Sequence, residues 1–128
     1  MERIKVPTSA PWAATVGYSR AVRAGNQVFV AGTAPVAEDG SIVAPGDPYR
    51  QAQRCLEIIV KALMDAGASV DDVVRTRMFV RHPKDWQAIG RAHGEIFGHV
   101  KPVTTMVFTD FIDPEMLVEI EADAVIGG

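Results

Sequence analysis

Cysteine is almost missing from this chain: Cys55 is its single thiol, so no internal disulfide can form and a reducing compartment suffices. Long apolar runs are missing too, since none approaches the roughly 18 residues that a membrane-crossing helix requires. The opening residues, Met1-Glu2-Arg3-Ile4-Lys5-Val6-Pro7, lack the apolar segment of a signal peptide. A cytoplasmic protein without membrane contact is the expectation. Positive charge is sparse and scattered, with a formal net charge of −3, which leaves no basic stripe for a nucleic-acid backbone. His82, His93 and His99 show no ligand spacing on one element, so no metal site is expected. Nor is a linker, repeat or low-complexity segment present. What remains is 48% hydrophobic and 23% charged over 128 residues, the makeup of one folded domain spanning 1–128.

The pattern predicts a short strand over 3–6, ended by Pro7, and a loop over 8–15 punctuated by Pro11 and small residues. Two strands, 19–24 and 27–31, flank the hairpin link Gly25-Asn26, and Gly32 breaks the second of them. Asp39-Gly40 marks a further tight turn between Pro35-Val36-Ala37 and Ile42-Val43. Asp47 as N-cap and Pro48 at the first position begin a helix. Its apolar face is Ala52, Cys55, Leu56, Ile59, Leu63 and Ala66, and Gly67 ends it. Cys55 on that face reads as a small packed thiol. A strand over 72–81 sets Thr76, Met78 and Val80 against Arg75, Arg77, Phe79 and Arg81. Pro83 opens a second helix with Trp86, Ile89, His93, Ile96 and Phe97 along one stripe and Gly98 at its end. The order β-β-β-α-β-α-β-β predicts an α+β fold, a mixed sheet with both helices on one face.

The last quarter of the chain organises the rest. After Pro102-Val103-Thr104-Thr105-Met106-Val107-Phe108 and a turn, Val118, Ile120, Ala122, Ala124 and Ile126 alternate with Glu119, Glu121 and Asp123. A period of two puts the three carboxylates on one sheet face, about 7 Å apart, where their repulsion calls for cations or water opposite them. Phe79, Leu117 and Val125 share that face, so a protein interface explains it better than bare solvent.

These residues carry a resemblance. Pro102, the strand after it, Asp113-Pro114 and Val118-Glu119-Ile120-Glu121-Ala122 resemble the end of the RidA/YjgF family. Its members are enamine and imine deaminases also described as L-PSP endoribonucleases or translation inhibitors. Gly17-Tyr18-Ser19 with Ala21-Val22, Val30-Ala31-Gly32-Thr33-Ala34-Pro35, the helix ending in Ala66-Gly67-Ala68, and Val73-Val74-Arg75-Thr76 extend the match over nearly the whole chain. The resemblance implies a chorismate mutase-like fold and a homotrimer around a central barrel, with small-molecule pockets between subunits. Arg75, Arg77 and Arg81 would then meet Glu119, Glu121 and Asp123. It also implies a reaction that needs no metal and no cofactor.

Site residues follow from the same resemblance. Tyr18 matches the pocket tyrosine, Glu119 the water-positioning glutamate, and Gly32 the turn whose backbone approaches the ligand; Ala31 stands where serine is common. Gly90 replaces an asparagine, and His93 falls where an aromatic is common. The family's carboxylate-gripping arginine corresponds to Thr104, followed by Thr105, with Met106 in place of cysteine. Losing a bidentate arginine weakens a carboxylate grip by roughly 10² to 10⁴-fold unless Arg20, Arg77 or another arginine reaches in. A pocket of Thr104, Thr105, Met106 and Phe108 suits a less charged, bulkier ligand.

Each position has a plainer reading beside this one. Glu119 serves either as water-positioner or as an ion-pair partner, Tyr18 either as pocket donor or as an edge residue packed under the 8–15 loop. His93 is a buried, hydrogen-bonded histidine or a pocket wall, and Thr104 a ligand contact or an ordinary strand residue. Two functions compete: a deaminase of reactive enamine or imine metabolites with altered substrate preference, and a non-catalytic trimer that binds a small carbonyl or carboxylate metabolite.

Overall fold

Asp47 and Pro48 start the longest element in the way their chemistry dictates. In the computed structural model, which describes residues 3–127, helix α2 covers Pro48–Asp65 and the Asp47 carboxylate accepts from the Arg50 amide at 3.0 Å. Its inner face, with Ala52, Cys55, Leu56, Ile59, Leu63 and Ala66, is buried as the spacing predicts. Gly67 then takes φ +88°, a left-handed conformation that closes the helix at little cost only for glycine. Cys55 is wholly buried and burial pushes its thiol pKa up, so it packs and does not react.

Six strands form one sheet: β1 (Arg3–Val6), β2 (Ala21–Ala24), β3 (Gln27–Thr33), β4 (Val73–Val80), β5 (Val103–Phe108) and β6 (Val118–Val125). Their spatial order is β1-β2-β3-β6-β4-β5, with β4 and β5 parallel and all other neighbours antiparallel. The last strand of the sequence thus lies in the middle of the sheet, flanked by β3 and β4. Helix α2 and helix α3 (Trp86–Phe97) pack on one face, where Val28, Val30, Met78, Val80, Val118, Ile120 and Phe97 complete a single core. Burying a side chain the size of Phe97 contributes about 1.5–3 kcal/mol. Among the described residues no helix is long and apolar enough to cross a membrane.

Several details depart from the sequence expectations. The 8–15 loop contains a one-turn helix, α1 (Ala13–Val16), stopped by Gly17 at φ +83°. Gly32 does not break β3; the strand continues to Thr33 through a bulge that shifts its register on β6 between Val30 and Thr33. The turn at Asp39-Gly40 joins a single bridge, Val36 to Ile42, instead of two strands. Helix α3 begins at Trp86 after a 3₁₀ turn over Pro83–Asp85, and Trp86 itself faces outward. Leu117 is buried and does not share the open face. Its amide donates to Oε1 of buried Gln51 at 2.8 Å, while Gln51 Nε2 donates to the Glu115 carbonyl at 2.9 Å.

Candidate functional site

The face of the sheet away from the helices carries the row Glu119, Glu121 and Asp123 on β6. On β4, Phe79, Arg77 and Arg75 stand opposite them in that order. The expected pairing is made by one arginine. Arg77 Nη1 donates to Glu121 Oε1 at 2.9 Å and to Asp123 Oδ2 at 3.5 Å. Arg81 turns instead to Asp110 and to backbone carbonyls, and among the described residues Arg75 makes no ion pair.

Glu119 stands apart from this network. Opposite it is Phe79, and among the described residues no cation lies within ion-pair reach. Its carboxylate rests on the β3 bulge: a Cβ added to Gly32 would lie 2.2 Å from Glu119 Oε1. A side chain at this position would push the Glu119 carboxylate away from the bulge. Burial pushes the Glu119 pKa up and the charge of Glu121 adds to the effect, while Arg20 opposes both. A half-buried carboxylate whose pKa is pushed upward is equipped to take a proton and give it back.

Arg20 secures this corner from behind. Nine-tenths buried, it donates from Nη1 to Thr33 Oγ1 at 2.8 Å, and from Nη1 and Nη2 to the Gly32 carbonyl at 3.4 and 3.3 Å. The Thr33 hydroxyl in turn donates to the Ala31 carbonyl at 2.7 Å. Tyr18 lies beside it, its ring centroid 5.8 Å from the guanidinium. Tyr18, Arg20 and Gly32 line a cleft of about 330 Å³ together with Trp12 and Arg54. Tyr18 and Ala31 also border a shallow hollow on the open face beside Phe29, Glu121 and Asp123. The structure therefore gathers Tyr18, Ala31, Gly32 and Glu119 into one group.

Thr104, Met106 and His93 form a second group elsewhere. Thr104 on β5 pairs with Thr76 on β4, which pairs with Ala122 on β6. Thr104 thus sits two strands from Glu119, about 10 Å across the sheet, and three residues further along. It also points the other way, because Thr76 and Met78 face the helices and Thr104 and Met106 follow their direction. Thr105 alternates to the open face opposite Arg77, away from both its neighbours. His93 is buried on α3, its ring centroid 4.8 Å from that of Phe97 with the two planes tilted by 44°, and its Nε2 lies 2.8 Å from Thr76 Oγ1. Thr76 Oγ1 continues to Thr104 Oγ1 at 2.7 Å. Burial lowers the His93 pKa, because it disfavours the charged imidazolium. Gly90 faces open space on the same helix.

Thr76 is the residue that the sequence did not single out. Its signal was a hydroxyl at a core-facing position of an alternating strand, with a histidine on the helix above. Neither arginine considered as a replacement for the one missing at position 104 is available, since Arg77 is held by two carboxylates and Arg20 by Gly32 and Thr33. Among the described residues no group of three His, Cys, Asp or Glu side chains is placed to hold a metal ion.

A mixed sheet backed by helices in this order is a known architecture. The structure of Rv2704 from Mycobacterium tuberculosis, described as a member of the YjgF/YER057c/UK114 family, matches with a TM-score of 0.87 and 41% identity. That match covers 98% of this chain and 100% of the other. The sequence profile described as Endoribonuclease L-PSP matches residues 8–126. The chain belongs to this family, the RidA/YjgF family that its sequence resembles. The uncharacterized protein SCO2049 of Streptomyces coelicolor is 40% identical over 121 residues, 94% of this chain and 90% of its own length. The 3-aminoacrylate deaminase RutC of Acinetobacter baylyi is 34% identical over 107 residues, 84% of this chain and 85% of its own.

Proposed function

We propose that this protein hydrolyses reactive enamine or imine metabolites in a pocket formed between subunits of a homotrimer, and that its substrate preference differs from that of the arginine-bearing family members. The observation that carries this reading is Glu119: without an ion-pair partner among the described residues, half-buried and pressed onto the Gly32 backbone, while Glu121 and Asp123 are both held by Arg77. Similarity to a relative named as a 3-aminoacrylate deaminase supports the reaction class. The trimer is supported by the separation of the two groups, since a wall from one chain must meet the other wall from a neighbour. It is supported also by the apolar residues Phe29, Val103, Val107 and Val125 exposed on the open face.

The chemistry follows from these positions. Glu119 accepts a proton from water as the water oxygen bonds to the imine carbon. Glu119 returns that proton to the nitrogen to give the neutral carbinolamine; the carbinolamine hydroxyl proton then passes through Glu119 to the nitrogen as the C–N bond breaks, so that ammonia departs and the carbonyl forms. Tyr18 supplies a donor beside the reacting atoms, and the Ala31 to Gly32 backbone forms the wall. Thr104 and Met106 from the neighbouring chain, with His93 behind them, would receive the remote end of the substrate, while Thr105, on the opposite face of β5, takes no part in that wall. Ribonuclease activity is not part of this reading, because the net charge is −3 and Arg77, Arg54 and Lys61 are all engaged with carboxylates. Binding without turnover is the competing reading, favoured by the lack of a cation at Thr104.

The test is to generate 2-aminoacrylate with a pyridoxal-dependent dehydratase and follow its loss. The native chain is expected to accelerate it weakly, and Thr104→Arg to raise the rate at least tenfold by restoring the carboxylate grip. Ligand-dependent thermal stabilisation with no acceleration by either chain would replace hydrolysis with binding.

A further inference from the structure

Three side chains from three different elements form a continuous hydrogen-bonded line: His93 on α3, Thr76 on β4 and Thr104 on the edge strand β5. The line runs from a buried ring to an exposed hydroxyl, and both links are short, 2.8 and 2.7 Å. Each threonine has one proton to donate. If Thr76 donates to Thr104, the His93 proton must sit on Nε2 to satisfy Thr76, and the Thr104 proton is left pointing outward. If the line runs in reverse, Thr104 offers only a lone pair outward and His93 carries its proton on Nδ1. The exposed end is therefore a hydrogen-bond donor or acceptor according to the tautomer of a buried ring, and it is uncharged in both states. Met106 and Phe108, on the same face of β5, place apolar surface next to it, with Phe108 half exposed.

Building on the hydrolase reading above, we propose that the His93-Thr76-Thr104 line is a head-group subsite that selects an uncharged, amide- or ketone-bearing substrate over a carboxylate-bearing one. Thr104 touches the head group, while Thr76 and His93 are positioning residues. A carboxylate would receive one neutral hydrogen bond and would leave most of its hydration uncompensated. A carbonyl asks for a single donor and loses far less. Because the line can reverse, the same hydroxyl can serve either the C=O or the N–H₂ of a primary amide.

A matched pair of enamines tests this, 3-aminoacrylamide and 3-aminoacrylate, made by adding ammonia to propiolamide and propiolate and followed by ultraviolet absorbance. The expected result is a kcat/KM at least tenfold higher for the amide. Thr76→Val, nearly isosteric, should erase most of that preference through KM with little change in kcat, and His93→Gln should restore part of what His93→Phe loses. A preference for the carboxylate, or an unchanged amide preference in folded Thr76→Val, overturns the proposal. Nitrogen-15 spectra of His93 separate the subsite from the catalysis. Propionamide should shift the Nε2 resonance where propionate does not, even if neither enamine is turned over; in that case the hydrolase reading fails and the subsite stands. No shift with either molecule removes the subsite.

Discussion

At the scale of single residues, Glu119 and the two side chains that follow it in the row have the same alternation but different surroundings. Arg77 holds Glu121 and Asp123, and Glu119 receives burial, a like-charged neighbour and a bare glycine. Its folded pKa is raised above the ordinary glutamate value, so the protonated form is the one the fold favours. The stability that this supplies is fully present below the ordinary carboxylate range and is lost as pH rises through the raised folded value. Glu119→Gln removes that dependence. Its melting temperature should match the wild type near pH 4 and exceed it increasingly toward neutrality, while hydrolysis of an imine substrate falls by roughly 10²-fold or more with the loss of the general base. A gap that does not change with pH would show that folding does not raise the Glu119 pKa. The sequence placed Glu119 on the right face, but its isolation was not legible there, because it depends on which carboxylates Arg77 reaches and on a bulge in another strand.

At the scale of elements, legibility tracked locality. Helix α2 was readable from Asp47 to Gly67 because its cap, its stripe and its stop all lie within its own residues. The hairpin at Gly25-Asn26 was readable for the same reason. Helix α1 was not, since one turn between Pro11 and Gly17 has no stripe to display. The β3 bulge was misread as a strand end because Gly32 has the same propensity in both, and only Glu119 across the ladder explains it. Arg81 shows a similar long-range role. From the end of β4 it donates to the carbonyls of Met116 at 2.7 Å, Asp113 at 2.8 Å and Phe111 at 3.4 Å, with the guanidinium 5.3 Å from the Phe111 ring centroid. The segment before β6 is thereby tied down by one planar fork. Lysine cannot reproduce the fork. Arg81→Lys should cost about 1–3 kcal/mol in urea unfolding, with faster amide exchange over residues 111–117. Unchanged stability would show that the fork is dispensable.

At the scale of the molecule, the separation of the two groups of site residues makes the proposed trimer testable. β5 is an edge strand with its outer backbone unpaired, next to an open face on which Phe29, Val107 and Val125 are 46, 42 and 38% exposed. Light scattering should report three times the chain mass, and the melting temperature should rise with protein concentration. Val107→Glu, on the open face opposite Phe79, should lower both the mass and the melting temperature. A stable wild-type monomer would overturn the assembly and, with it, the pocket between chains. The sequence suggested such an interface only through apolar residues mixed with charge, and it wrongly included Leu117, which the Gln51 side chain draws inward.

The opposed directions of Thr104 and Glu119 carry a genetic consequence. Neither a rotamer change nor a loop movement can turn two sides of one sheet toward each other, so the coding sequence specifies the two groups at separate addresses. A substitution at either address is inherited by every copy, yet within one copy it leaves the other address untouched. Substitutions can therefore accumulate along β5 without disturbing the carboxylate on β6.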